Sequence, residues 1–182
     1  AAQEHPNPAD WEAPDAWLTA GSCIALGTRT LDVVHTPGHT QGHVVFHDTS
    51  TEVLFSGDHV LPHITPSIGF EQVPVTSPLA DYLTSLRLVR TMPDAVLLPA
   101  YGPVTNSVHA RVDQLLIHHQ ERLGASMAAL QAGADTAFEV AERIHWTRRQ
   151  SALADLDPFN QMLAILETAA HLEVLTERGY VR

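Results

Sequence analysis

The chain has 182 residues, 45% of them hydrophobic, which suits one full domain or part of a domain joined to a small second one. Ten arginines and no lysine stand against 21 acidic residues, a net charge of −11, so a nucleic-acid backbone is disfavoured as a partner unless the arginines cluster, and only Arg148-Arg149 do so. No apolar run approaches the roughly 18 residues of a membrane span, the acidic, proline-rich start does not read as a signal peptide, and Cys23, the single cysteine, leaves no internal disulfide, so a cytoplasmic location is expected.

Residues 1–20 read as irregular, with Trp11 and Trp17 expected to pin the segment to a surface. Gly21 and Gly27 then bracket a short apolar run, Cys23 to Leu26. Thr30 to Thr36 is rich in β-formers and ends at Pro37-Gly38. His43 to Asp48 and Glu52 to Ser56 are two further strand candidates, and Asp48-Thr49-Ser50-Thr51 between them suits a hairpin loop.

The apolar period changes after residue 76. Ser77-Pro78 predicts a helix start, with serine as N-cap and proline at the first helical position. Leu79, Leu83 and Leu86 follow at helical spacing as far as Met92-Pro93, and Ala95 to Ala100 has the length of a buried strand. Val108 to about Leu130 predicts a long helix, carrying Val112, Leu115 and Leu123 and closed by Gly133. Thr136 with Glu139 predicts a capping box for a helix reaching about Trp146. A polar linker leads to a last helix from about Phe159 to Arg178, stopped by Gly179, after which Tyr180-Val181-Arg182 could begin a strand. Strands followed by helices predict an α/β or α+β body over residues 1–107 and a small helical module over 108–182.

Half of the 12 histidines fall between His35 and His63, a local enrichment that asks for metal or acid–base chemistry. His35, His39, His43 and His47 recur every fourth residue, yet Pro37, Gly38 and Gly42 forbid a helix, so the stretch reads as strand, loop, strand. His39 then sits on a tight loop at a strand end, where active-site residues gather. Asp58 follows Gly57, which permits close backbone approach. A carboxylate can bridge two metal ions, and two close cations can lower the pKa of a shared water toward neutrality. His35, His47 and the mid-helix pair His118-His119 read as structural or solvated.

Thr36-Pro37-Gly38-His39-Thr40-Gln41-Gly42-His43 resembles the TPGHTxGH motif of metallo-β-lactamase-fold hydrolases. Phe55-Ser56-Gly57-Asp58 is similar to the GD motif that follows in that family. Leu98 to Val104 resembles its PxHGP segment, which carries the last metal ligand. The resemblance implies that His39 binds one zinc, that Asp58 bridges and is the catalytic carboxylate, and that position 101 binds a second zinc. His43, His59 and Tyr101 are then expected to line the cleft or to support the ligands; His59 and His63 could serve as substrate contacts or substitute ligands, though a structural role for both is the favoured reading. Position 101 holds Tyr101 where the family has histidine, and a phenol with a pKa near 10 is an uncommon zinc ligand. The family's opening motif, HxHxDH, does not occur in the sequence, so the chain is expected to be a truncated product. Asp58 to Pro66 resembles a subgroup with a C-terminal winged-helix module.

The resemblance therefore implies the C-terminal half of an αββα sandwich followed by a winged-helix-like module. It implies a hydrolase that attacks a small ester, thioester or lactone with hydroxide held on zinc. Two other expectations stand beside it. One is a non-catalytic remnant that binds or dimerises. The other is an RNA-processing nuclease, which the charge disfavours, since five arginines face seven acids from Thr136 onward. A small-molecule substrate and a homodimer are the expected partners.

Overall fold

The computed structural model describes residues 12–71, 75–147 and 150–181. Five strands form one sheet in chain order: β1 (Cys23–Leu26), β2 (Arg29–His35), β3 (Val44–Asp48), β4 (Val53–Gly57) and β5 (Val96–Pro99). The first three pairings are antiparallel and β4 pairs β5 in parallel. The parallel pair needs a crossover, supplied by helix α1 (Pro78–Thr91). Helices α2 (Val108–Gln131), α3 (Ala137–Arg143) and α4 (Pro158–Glu177) follow, with one 3₁₀ turn at Leu153–Asp155. This is the mixed α/β architecture expected from the sequence.

The β3–β4 turn is held by Asp48. Its carboxylate accepts the Ser50 and Thr51 backbone N–H groups at 3.0 and 3.2 Å and the Ser50 hydroxyl at 2.6 Å. Those donors, Ser50 first, hold its pKa down to about 2.

Side chains alternate across the sheet, so its register divides them into two faces. Val45, Leu54 and Leu97 point to one face and are buried in the main core with Leu79, Leu83 and Leu86 of α1, Val112 and Leu115 of α2, and Val174 of α4. Each buried leucine contributes about 1.5–3 kcal/mol relative to an exposed one. Phe46, Phe55 and Leu98 are register partners on the opposite face. None of them belongs to the main core, and Phe55 is 40% exposed. A second cluster joins Ala129 of α2, Val140 and Ala141 of α3, Trp146 beyond it, Leu153 of the 3₁₀ turn and Ala164 of α4.

Several helix ends differ from the sequence expectations. Ser77 does precede Pro78, but it is left-handed, with φ 55°, and caps nothing. Its hydroxyl donates to the Glu177 carboxylate instead, tying the start of α1 to the end of α4. Thr136 caps α3 by accepting the Glu139 N–H at 3.2 Å, whereas the Glu139 carboxylate takes the Asp135 N–H, so the box is displaced by one residue. Ser107 caps α2 by accepting the Ala110 N–H, and Asp157 caps α4. Trp17 is 85% exposed and pins nothing, while Trp11 lies outside the described residues. Tyr180 and Val181 form no strand. Beyond α2 the described β-structure is one isolated bridge between Trp146 and Ser151.

Candidate metal centre

The loop between β2 and β3 is fixed from both sides. Thr36 donates its N–H to the His43 carbonyl at 2.9 Å, closing the loop. Gly38 has φ 136°, and a Cβ there would collide with the backbone of Tyr82. Only glycine lets α1 approach this closely. Ser85, also on α1, donates its hydroxyl to the Pro37 carbonyl at 2.9 Å. The outcome is a rigid platform for His39.

His39 Nδ1 lies 2.8 Å from the Ser67 carbonyl oxygen. A carbonyl only accepts, so Nδ1 carries the proton and in the neutral ring Nε2 holds a bare lone pair. Nε2 faces Asp58 Oδ2 at 3.8 Å. This tautomer is the one a metal-ligating histidine adopts when its other nitrogen is held by a carbonyl.

Asp58 leaves the end of β4 through Gly57, at φ 52°, where a Cβ would sit 2.8 Å from His43 Nε2. That close approach serves a purpose. His43 Nε2 accepts the Asp58 backbone N–H at 3.1 Å. The His43 proton therefore rides on Nδ1 and is donated to the Thr36 hydroxyl at 2.9 Å. Burial, and then the charge of His39, lower the His43 pKa against the pull of Asp58, keeping the ring neutral. His43 thus spends both nitrogens on holding the two loops together.

His59 is fully buried behind this pair. Its ring centroid is 5.9 Å from that of His43 and 5.1 Å, edge-on, from Tyr82. Neither ring nitrogen has a well-formed hydrogen bond. Burial, reinforced by His43, pushes its pKa down to about 3, with a Ser85 backbone group counteracting in part. Tyr82 donates its hydroxyl to the His59 carbonyl at 2.9 Å. Tyr101 follows β5 and is 65% exposed. The Ala100 N–H donates to the Gly57 carbonyl at 3.0 Å, which sets the Tyr101 loop beside Asp58. Gly102, at φ 89°, packs against Pro62, and His63 is next to it.

The structure therefore brings His39 and Asp58 together, sets His43 and His59 behind them and leaves Tyr101 on a neighbouring loop. Among the described residues no three His, Cys, Asp or Glu side chains gather closely enough to hold a metal ion. The imidazole and carboxylate fit a metal in chemistry and in tautomer, as two of the three or four protein ligands that zinc takes. Ser67, Tyr82 and Glu71, whose carboxylate accepts the Gln41 N–H at 3.1 Å, were not legible from the sequence. Ser67 contributes only a carbonyl, which every residue has. A small cavity of about 220 Å³ adjoins His39 and is lined also by Glu71 and Glu173.

Similarity to known proteins agrees with this geometry. The sequence profile of the Metallo-beta-lactamase superfamily matches residues 1–101. The chain is 29% identical over 142 residues to a "Beta-lactamase-like protein 2 homolog" of Caenorhabditis elegans, covering 75% of this chain and 45% of that protein. It is 28% identical over 127 residues to an "Atrochrysone carboxyl ACP thioesterase" of Aspergillus fumigatus, covering 70% and 36% respectively. A beta-lactamase domain protein from Burkholderia ambifaria superposes with a TM-score of 0.80 at 32% identity over 92% of this chain and 49% of that one. A metallo-beta-lactamase family protein from Thermus thermophilus does so with a TM-score of 0.73 at 31% identity, over 89% and 49%. The chain thus spans about half the length of these relatives or less. On the profile match and the site geometry together, the chain belongs to the metallo-β-lactamase superfamily of metal-binding, hydrolase-like proteins.

Proposed function

We propose that the chain is the metal-binding C-terminal part of a hydrolase that opens a small ester, thioester or lactone at a zinc centre. The observation that supports this reading best is the aim of His39, whose Nδ1–H is committed to Ser67 so that Nε2 faces Asp58. His39 and Asp58 would hold the ion, which when bound supplies Lewis acidity and makes a water molecule acidic near neutral pH. The chain's own residues do the rest. His43 fixes the Asp58 backbone, and the exposed Tyr101 phenol offers a hydrogen bond to a substrate oxygen as charge builds on it. The thioesterase among the relatives favours a thioester. The net charge of −11 favours a small molecule over RNA. Residues 108–182 would act as a winged-helix-like module that borders the site or pairs two copies of the chain.

A second reading, a non-catalytic remnant, is favoured by Tyr101 in place of the last histidine ligand and by the two-ligand site. Zinc titration against a chromophoric chelator tests the first reading, using the chain, His39→Ala and Asp58→Ala. Uptake by the chain that both substitutions abolish is the expected result. Equal uptake by all three proteins would refute the assignment of this pair. Uptake by the chain without turnover of any ester, thioester or lactone by the full-length protein that contains it would select the second reading.

A further inference from the structure

A single segment reaches both candidate ligands and the Tyr101 loop. Residues 59–71 leave Asp58 and run toward α1 as a strap outside any helix or strand. Pro62 lies against Gly102, beside Tyr101. The Ser67 carbonyl accepts the His39 Nδ1–H at 2.8 Å, and at the far end the Glu71 carboxylate accepts the Gln41 N–H at 3.1 Å. The strap is stiff. Proline fixes φ at positions 62 and 66 and confines the residues before them, Leu61 and Thr65, to extended conformations, so four of the seven residues 61–67 have little backbone freedom. Where such a segment is held decides where the rest of it points.

Between Asp58 and Ser67 the strap is held by a side chain of α2. Arg111 donates Nε–H to the Leu61 carbonyl at 2.6 Å and Nη2–H to the Ile64 carbonyl at 3.0 Å, while Nη1 donates to Gln114 Oε1 at 3.0 Å. The planar guanidinium fork fixes two carbonyls at a set spacing, which the point charge of a lysine does not. Its base is firm. Ser107 caps α2, the Val108 N–H donates to the Ala95 carbonyl at 3.0 Å, and Val108 and Val112 on either side of Arg111 are buried. Buried Ile68 also anchors the strap, but apolar burial is non-directional and sets its depth, not the direction of the Ser67 carbonyl. That direction governs His39, because the carbonyl keeps the proton on Nδ1 and leaves the Nε2 lone pair bare.

We propose that Arg111 is a positioning residue for the candidate site: by clamping Leu61 and Ile64 it aims the Ser67 carbonyl at His39 and so selects the tautomer that can bind a metal ion. The inference rests on the reading of His39 as a ligand, yet its first readout needs no metal. Ring nitrogen NMR shifts, recorded at about pH 8.5 where imidazoles of ordinary pKa are neutral, report which nitrogen carries the proton. The metal-free chain is compared with Arg111→Met, which keeps the stem and loses the donors, and with Arg111→Lys, which keeps the charge without the fork. In the chain His39 is expected in the Nδ1–H form. In Arg111→Met it should become a mixture of both tautomers, with Arg111→Lys in between, while His119 and His171 keep the Nδ1–H forms that their own hydrogen bonds require. Zinc affinity in a chelator competition should fall about tenfold in Arg111→Met. A His39 that stays Nδ1–H in both variants overturns the proposal. An equal change at His119 and His171 overturns it too, since Arg111 would then only hold α2 in place. A changed tautomer with unchanged zinc affinity also overturns it, because the strap would have no bearing on the ligand. A parent chain that takes up no zinc refutes the hydrolase reading instead, and the tautomer comparison still decides the role of Arg111.

Discussion

Acid should loosen this fold through a buried histidine pair. His119 on α2 and His171 on α4 are both 1% exposed and stack with ring centroids 5.3 Å apart. His171 Nδ1 donates to the Glu167 carbonyl at 2.7 Å, so its Nε2 is free to accept from His119 Nδ1 at 3.2 Å. Both rings are therefore neutral. Burial pushes the His171 pKa from 6.5 down to about 4, with Arg122 and His118 adding to the shift and the Glu167 carbonyl opposing it. Burial and the neighbouring His171 lower that of His119 as well. Below pH 6.5 the unfolded chain takes up protons that the folded chain refuses, so stability falls as pH falls and levels off near the folded pKa. The full interval, 6.5 − 4 = 2.5 units for His171, corresponds to about 3 kcal/mol. Between pH 7.5 and pH 5 the loss from this one residue is about 2 kcal/mol. Urea unfolding at those two pH values measures it in the chain and in His171→Gln, which cannot titrate but can still accept from His119. The variant should lose about 2 kcal/mol less than the parent over that interval. An identical acid loss in the two proteins would refute the linkage to His171.

Two further outcomes follow from the candidate site around His39 and Asp58. His43→Gln removes one end of the bridge between Thr36 and the Asp58 N–H, so zinc affinity in a chelator competition should fall by roughly tenfold or more and the melting temperature should fall with it, because the two loops lose a tie; an unchanged affinity would show that Asp58 does not depend on His43 for its position. Gly38→Ala places a methyl group in the Tyr82 backbone at a φ of 136°, and thermal unfolding should report a loss of about 2 kcal/mol or more; a melting temperature equal to the parent's would mean that the loop and α1 are not locked together.

The strand–loop–strand reading of residues 30–58 was legible because Pro37, Gly38 and Gly42 rule out a helix at the histidine repeat, and β2 to β4 fall within a residue or two of their expected bounds. Element ends were less legible, because caps compete with tertiary contacts. Ser77 is a good N-cap by type, yet the nearby Glu177 carboxylate claims its hydroxyl. The histidines show the same limit. His118-His119 read as solvated on a helix with many polar positions, but α2 runs between α1 and α4, which buries His119 against Tyr82 and His171. One amphipathic stripe can be read from spacing, and a helix packed on more than one side does not display one. The support for His39 was beyond reach for a different reason, since it comes from a backbone carbonyl 28 residues away.

The two candidate ligands are held by the protein rather than by the ion they would bind. His39 is oriented by Ser67, on a loop wedged between Gly38 and Tyr82, and Asp58 is held at its own N–H by His43. Tyr82 links the layers, meeting Gly38 with its backbone, His59 with its ring and hydroxyl, and His119 with its ring edge. Burying neutral His59 and His119 without a full set of partners costs stability. What that cost secures is a pair of loops whose spacing is set by close-packed backbone and ring contacts, which have little freedom to give. A centre built in this way needs little reorganisation to receive a metal, because the entropy of ordering its ligands has been lost already in folding.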